Sequence, residues 1–261
     1  VERRRYALRL LYDGRAFRGF QRQPGLATVQ EAVEDGLRRF GVAAPLQVAA
    51  RTDAGVSALD QVVSFVAPAD LDLVALRRAI NEAAPEGLLC LGAARVLAKF
   101  HARASALSRR YVYLVGTPAP AVVAPWCWSL PDERAFPGHG SAPLDAQAMR
   151  RALSHAVGEH DFAGFARPGG QRVTVRTVTR ADVLVAEDLP LMAVVLEGQG
   201  FLRAMVRNLV GTAVTAGLGL APTTALGEQL LTRGRYRGVR APGWGLTLAS
   251  VSFPPGVLTW T

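Results

Sequence analysis

The chain has 261 residues, 50% hydrophobic and 20% charged, which suits one large domain or two small ones with a substantial core and excludes a disordered or low-complexity chain. Its net charge of +9 favours a polyanionic partner, nucleic acid ahead of a membrane surface. Its two cysteines, Cys90 and Cys127, lie far apart and form no Cys-x-x-Cys or Cys-His cluster, so no zinc site is indicated and buried free thiols in a reducing compartment are expected.

Residues 6–12 read as a strand stopped by Asp13-Gly14. A polar loop runs from Arg15 to Ala27. Thr28-Val29-Gln30-Glu31 has the form of a capping box, and Val29, Ala32, Val33, Leu37 and Phe40 fall on one face of the helix it opens. Residues 46–50 and 61–66 read as strands on either side of a small-residue turn. Leu73, Leu76, Ile80 and Ala84 mark a second helix, ended by Pro85-Glu86-Gly87, and residues 88–97 a further strand. In the second half, residues 109–115 read as a strand, followed by a loop rich in Pro, Gly and Trp over 117–143. Asp145 caps a helix with Met149, Leu153 and Val157 inward. Residues 173–185 and 191–196 are a strand pair, 202–218 a helix, 224–231 a short helix and 246–253 a closing strand. Each half repeats strand–helix–strand twice, without sequence repetition between them. The pattern predicts an α+β fold of two split-βαβ halves, residues 1–103 and 104–261, with helices on one face of a large, mainly antiparallel sheet.

Arg51-Thr52-Asp53-Ala54-Gly55-Val56-Ser57 places a carboxylate two residues after an arginine, in the turn between two apolar runs. Gly55 lets backbone or a ligand approach closely. A carboxylate held beside a fixed cation stays ionised while partly desolvated, as a nucleophile or electrostatic stabiliser must; it also fits a turn aspartate bonded to its own backbone. Gly19-Phe20-Gln21-Arg22-Gln23 puts an aromatic among polar side chains, with Phe20 either stacking on a base or anchoring the loop and Arg22 suited to a phosphate. His101, in Phe100-His101-Ala102-Arg103, contacts RNA or is structural. Tyr111 and Tyr113 share one face of a strand, as core aromatics or with one offered to a substrate. Arg203 and Arg207, four apart, share a helix face, and Arg207 between Val206 and Leu209 wants a carboxylate partner, for which Asp53 is a candidate.

Lys99 is the single lysine; the other basic side chains are arginine, which suits bidentate phosphate recognition and base stacking. Val1-Glu2-Arg3-Arg4-Arg5 leads into a strand pattern rather than an apolar leader, and no apolar run approaches a membrane span, so a cytoplasmic protein is expected.

In order along nearly the whole chain, these segments resemble the bacterial tRNA pseudouridine synthase A family. The resemblance runs through Gln21-Arg22-Gln23, Thr28 to Glu31, Arg51 to Val56, Gln61-Val62-Val63, Phe100 to Arg103 and Arg109 to Tyr113. It continues through Asp161-Phe162, Met205 to Gly211 and Gly245-Leu246-Thr247-Leu248. The resemblance implies isomerisation of uridine to pseudouridine at positions 38, 39 and 40 of the tRNA anticodon stem-loop, with the target base leaving the stack. It implies two similar halves sharing one sheet, an active-site cleft between them, a homodimer, and neither metal nor organic cofactor. By the same token Asp53 matches the family's essential aspartate, Tyr111 its active-site tyrosine, Arg207 the arginine paired with the aspartate, Arg51 a basic position of the signature, and Leu246 an apolar residue of the uracil pocket. Arg22, Gln23, His101, Arg103, Arg110 and Arg203 are the candidate RNA contacts. Departures are Ser57, Phe20 and Arg203-Ala204, where the family commonly has histidine, tryptophan and histidines, and they touch RNA contact more than chemistry. Residues 131–143 match nothing assignable. The competing readings are a catalytically silent tRNA-binding or folding protein on the same scaffold, and a glycosidase or nucleoside hydrolase, which would want a second carboxylate beside Asp53.

Overall fold

The computed structural model describes residues 2–68, 70–139, 143–167 and 173–261. In chain order the elements are β1 (Arg3–Tyr12), α1 (Val29–Arg39), β2 (Gln47–Val48), β3 (Ser57–Pro68), α2 (Leu73–Ala83), β4 (Leu88–Val96), β5 (Ser108–Gly116), β6 (Trp128–Ser129), α3 (Ala146–Ser154), β7 (Gly158–Asp161), β8 (Val175–Val185), β9 (Leu191–Gly198), α4 (Met205–Gly217), α5 (Ala225–Thr232) and β10 (Leu246–Ser252). They fall into two compact units: Val1–Arg109 with Leu248–Thr261, and Arg110–Thr247.

In the first unit the strands pair in the order β4-β1-β3-β10, with the short β2 also on β3. Along β1, Tyr6, Leu8, Leu10 and Tyr12 are buried while Arg5, Arg9 and Leu11 are only partly so, a period of two broken only at the small, buried Ala7. Antiparallel register aligns Leu8 with Val63 of β3 and Ala93 of β4, a row of fully buried side chains across the sheet. Against it α1 supplies Val29, Val33 and Leu37, and α2 supplies Leu76 and Ile80. Each such side chain contributes about 1.5–3 kcal/mol on burial. The helices begin where their caps dictate: Thr28 Oγ1 accepts from the Glu31 amide at 3.4 Å, and Asp72 Oδ1 from Val74 and Ala75 at 3.0 Å. The sequence β1-α1-β2-β3-α2-β4 with neighbours β4-β1-β3-β2 is a split-βαβ, ferredoxin-like unit.

The second unit repeats the alternation with β5, α3, β8, β9 and α4, its strands ordered β5-β9-β8-β7. Antiparallel β8 and β9 pair Val183 with Val194. Helix α3 packs on α4 and β8, and Met149 and Leu153 of α3 and Leu209, Val210, Ala213 and Val214 of α4 are all buried. The α+β class, the mainly antiparallel pairing and the helices packed on the sheet are as the sequence predicts.

Several details differ. The strand expected over 46–50 shrinks to two residues. Helix α3 ends at Ser154, so Val157 leaves the inner face and is exposed. The Pro-Gly-Trp loop holds β6, parallel to the end of β5, and a short 3-10 turn at Ala124–Trp126. Within the loop, Trp128 stacks on Phe136 and donates its indole N–H to Asp132 at 2.8 Å, so this stretch is packed as far as the described residues reach; residues 140–142 lie outside them. β7, an edge strand of sequence GEHD, was not anticipated. Helix α4 begins at Met205 rather than residue 202, because Ala204 is left-handed at φ 65. Arg203 therefore precedes the helix, and the shared helical face expected for Arg203 and Arg207 does not exist.

Candidate active site

In the first unit Asp53 stands at the start of a tight turn. The Val56 amide donates to the Asp53 carbonyl at 3.1 Å and Gly55 is left-handed at φ 80, the pattern of a type II turn. The preceding residue, Thr52, is buried, and its hydroxyl meets the Tyr12 hydroxyl at 2.8 Å. Fully buried Gln61 donates to that same phenol oxygen at 3.2 Å and to the Ala50 carbonyl at 2.7 Å, and accepts from the Ala50 amide at 3.3 Å. The phenol oxygen thus accepts a hydrogen bond from Gln61 and shares a second with the Thr52 hydroxyl. Burial pushes the Tyr12 hydroxyl up to about 12, partly offset by the bonds to Thr52 and Gln61, so it stays protonated through the neutral range. Two glycines complete the seat: a Cβ on Gly14 would overlap the Val56 backbone, and one on Gly19, at φ 100, would crowd Thr52 and Asp53. The Phe20 amide donates to the Thr52 carbonyl at 3.1 Å. The backbone around Asp53 is therefore fixed, while the residue itself remains partly exposed.

The Gly19–Gln23 loop lies against this turn, but its side chains are engaged locally. Phe20 is buried beside Tyr12, which corrects the base-stacking reading in favour of the loop anchor. Arg22 is paired with Glu34 of α1 at 2.9 Å, and Gln23 donates to the Arg18 carbonyl at 2.9 Å. Arg51 is exposed and makes no hydrogen bond or ion pair among the described residues, so it is not the fixed cation that the Arg51–Asp53 spacing suggests. His101 Nδ1 accepts the amides of Arg103 and Ala104 at 3.1 and 3.4 Å, capping the turn that exposes Arg103. One participant was missed. Arg109, which the sequence offers only as the start of a strand, is buried and donates to the carbonyls of Ala49, at 2.9 Å, Arg103, at 2.7 Å, and Ala106, at 3.2 Å. It ties the strand leading to Asp53 to the His101 turn.

In the second unit Tyr111 is buried edge-on to Phe201, with ring centroids 5.4 Å apart. Tyr113 is structural: its hydroxyl donates to the Pro242 carbonyl at 2.9 Å, burial raises its pKa, and a Cβ on Gly245 would strike its ring. Arg207 donates Nε to the Ala241 carbonyl at 2.7 Å, and the Ala241 amide returns to the Arg207 carbonyl at 3.2 Å. Leu246 is buried four residues beyond Pro242. Arg207, Tyr113 and Leu246 are thus organised around one segment, 241–246. Arg203 is exposed on the turn before α4, its carbonyl accepting from the Arg167 amide. Arg110 is paired across strands with Glu197 at 2.8 Å.

The first unit thus carries a carboxylate on a rigid turn, and the second an aromatic ring, a guanidinium and an apolar side chain around residues 241–246. Among the described residues no group of three or more His, Cys, Asp or Glu side chains could hold a metal ion, and no helix is long and apolar enough to cross a membrane. Cys90 and Cys127 are free, buried thiols, each pushed up to about 11 by burial.

A family model described as tRNA pseudouridine synthase matches residues 152–254. The chain is 42% identical to the tRNA pseudouridine synthase A of Frankia casuarinae over 96% of this chain and 90% of that protein. It is 39% identical to that of Syntrophotalea carbinolica, covering 94% of each, and 37% identical to that of Thermosipho melanesiensis, covering 96% and 100%. With this identity sustained along essentially the whole of both sequences, the chain belongs to the tRNA pseudouridine synthase A family and is an isomerase.

Proposed function

We propose that this protein isomerises uridine to pseudouridine at positions 38, 39 and 40 of the tRNA anticodon stem-loop, extruding the target base from its stack. It acts as a cytoplasmic homodimer, with Asp53 as the essential carboxylate and no cofactor. The reaction breaks the bond from uracil N1 to C1′ of the ribose and forms one from C5 to C1′. One proton leaves C5 and one is gained at N1, so the step balances without an oxidant or a second substrate. A carboxylate facing C1′ is what cleavage at a glycosidic carbon demands. The observation that carries the reading is the seating of Asp53: a partly exposed residue whose neighbour Thr52 is held by the buried Thr52–Tyr12–Gln61 chain. Such pre-organisation costs nothing at the moment of reaction.

In this reading Arg207 pairs with Asp53 and orients it, Tyr111 meets the released uracil and Leu246 lines its pocket. Arg51, Arg22, Gln23, His101, Arg103, Arg110 and Arg203 border the RNA. The experiment is to incubate anticodon-arm transcripts carrying uridine at each of the three positions, in the presence of a chelator, and to map pseudouridine by chemical labelling and primer extension. Conversion at those positions supports the reading. Conversion only elsewhere overturns the site assignment, tight binding without conversion supports the silent RNA-binding alternative, and release of free uracil would make the protein a hydrolase.

A further inference from the structure

The second unit carries an open cavity of about 340 Å³ lined by Ala166, Arg167, Arg235, Tyr236 and Arg240. Three of its five lining residues are arginines, and among the described residues none of the three is paired with a carboxylate. Guanidinium groups facing one cavity repel one another, and a bound anion relieves that repulsion. The arrangement is also built rather than incidental. Arg240 Nε donates at 2.9 Å to Oδ1 of Asn208, which is fully buried and whose amide is itself held by the Phe165 carbonyl at 2.7 Å. That contact engages Nε, and among the described residues the terminal nitrogens of Arg240 make no further hydrogen bond. The loop carrying Arg235 and Arg240 is pinned by the Tyr236 hydroxyl, which bonds to the Val239 carbonyl at 2.7 Å and the Asn208 carbonyl at 3.1 Å. Gly211 of α4 permits this close docking, since a Cβ there would overlap the Val239 carbonyl oxygen.

We infer that this cavity is a phosphate subsite that takes a backbone phosphate of the RNA substrate, an inference that rests on the function proposed above. Planar arginine forks match phosphate oxygens in pairs, and a lining of three guanidinium groups and a phenol does not suit an apolar ligand. The polymer source follows from position. Arg240 is the neighbour in sequence of Ala241, whose carbonyl holds the Arg207 guanidinium, and Asn208 is the neighbour of Arg207. A nucleotide reacting at Arg207 brings adjoining phosphates to the same turn of α4.

The test measures binding of an unmodified tRNA transcript to the full-length protein across a salt series. Arg235→Gln and Arg240→Gln each weaken binding several-fold and flatten the slope of log affinity against log salt by roughly 0.7–0.9, the share of one phosphate contact. Among the described residues Arg235 makes no hydrogen bond or ion pair, so its variant keeps the test valid if Arg240→Gln disturbs Asn208. Arg78→Gln, which removes the same charge from an exposed ion pair on α2, retains the wild-type slope. Wild-type affinity and slope in both pocket variants overturn the inference, as does an equal flattening by Arg78→Gln. A titration with inorganic phosphate separates the sources: loss of phosphate binding in the variants with unchanged tRNA affinity would make this a free-anion site. If wild-type protein binds tRNA through the pocket yet converts no uridine, the proposed reaction falls and the subsite stands.

Discussion

Tyr12 shows how a residue remote in sequence sets up Asp53. Its hydroxyl lies between Thr52 and Gln61, so Tyr12→Phe strips a partner from two buried polar groups, at a cost of about 1–3 kcal/mol. Because Thr52 adjoins Asp53, kcat for pseudouridine formation is expected to fall more than KM rises. A loss of stability with unchanged kcat would show that the network merely supports the fold. The same hydroxyl makes an alkaline prediction. Tyr12 holds its proton up to about 12 when folded, whereas an unfolded tyrosine releases it near 10, so the unfolded chain binds fewer protons between those limits. Stability is fully present below about pH 10 and declines as pH rises toward 12. Cys90 and Cys127, both near 11 when folded, act with the same sign from about pH 9. Urea midpoints across pH 9–12 should decline less steeply in Tyr12→Phe than in wild type; parallel curves would contradict the assignment.

Among elements, those with a local cause were legible. Thr28 and Asp145 cap α1 and α3 through side-chain bonds that sequence spacing implies, and the inward residues of β1 alternate as written. The misses had tertiary causes. β7 is an edge strand whose Gly-Glu-His-Asp sequence lacks alternation and β propensity, and it exists because β8 offers a partner. The start of α4 is set by the left-handed Ala204, a conformation costing of order 1 kcal/mol that an alanine does not announce. Burial of Arg109 was hidden because a buried cation satisfied by backbone carbonyls looks, in sequence, like a surface one. That side chain supplies the prediction at this scale. Arg109→Met leaves the carbonyls of Ala49, Arg103 and Ala106 short of donors and should cost about 2–4 kcal/mol, read as a lowered urea midpoint, with reduced kcat as the segment before Asp53 loosens. An unchanged midpoint would mean that water replaces the guanidinium and the tie is dispensable.

For the whole molecule, charge and composition gave the partner class more readily than the contacts. A net charge of +9 on a chain with a single lysine points to phosphate recognition, and tRNA affinity is expected to decline with salt at a log–log slope on the order of −3 or steeper. A salt-independent affinity would contradict an arginine-borne interface. The individual RNA contacts were less legible, because a sequence does not reveal which arginines are already engaged: Arg22 is held by Glu34 and Arg110 by Glu197, while the cluster at Arg167, Arg235 and Arg240 was not singled out.

The most direct test of the account compares wild-type protein with Asp53→Ala and Asp53→Asn on one unmodified tRNA transcript, scoring both pseudouridine formed and tRNA affinity. The account predicts that both substitutions abolish turnover while affinity stays within about tenfold, a change of no more than ~1.4 kcal/mol, because Asp53 serves the reacting sugar rather than the phosphates. Turnover at the wild-type rate in Asp53→Ala would contradict it.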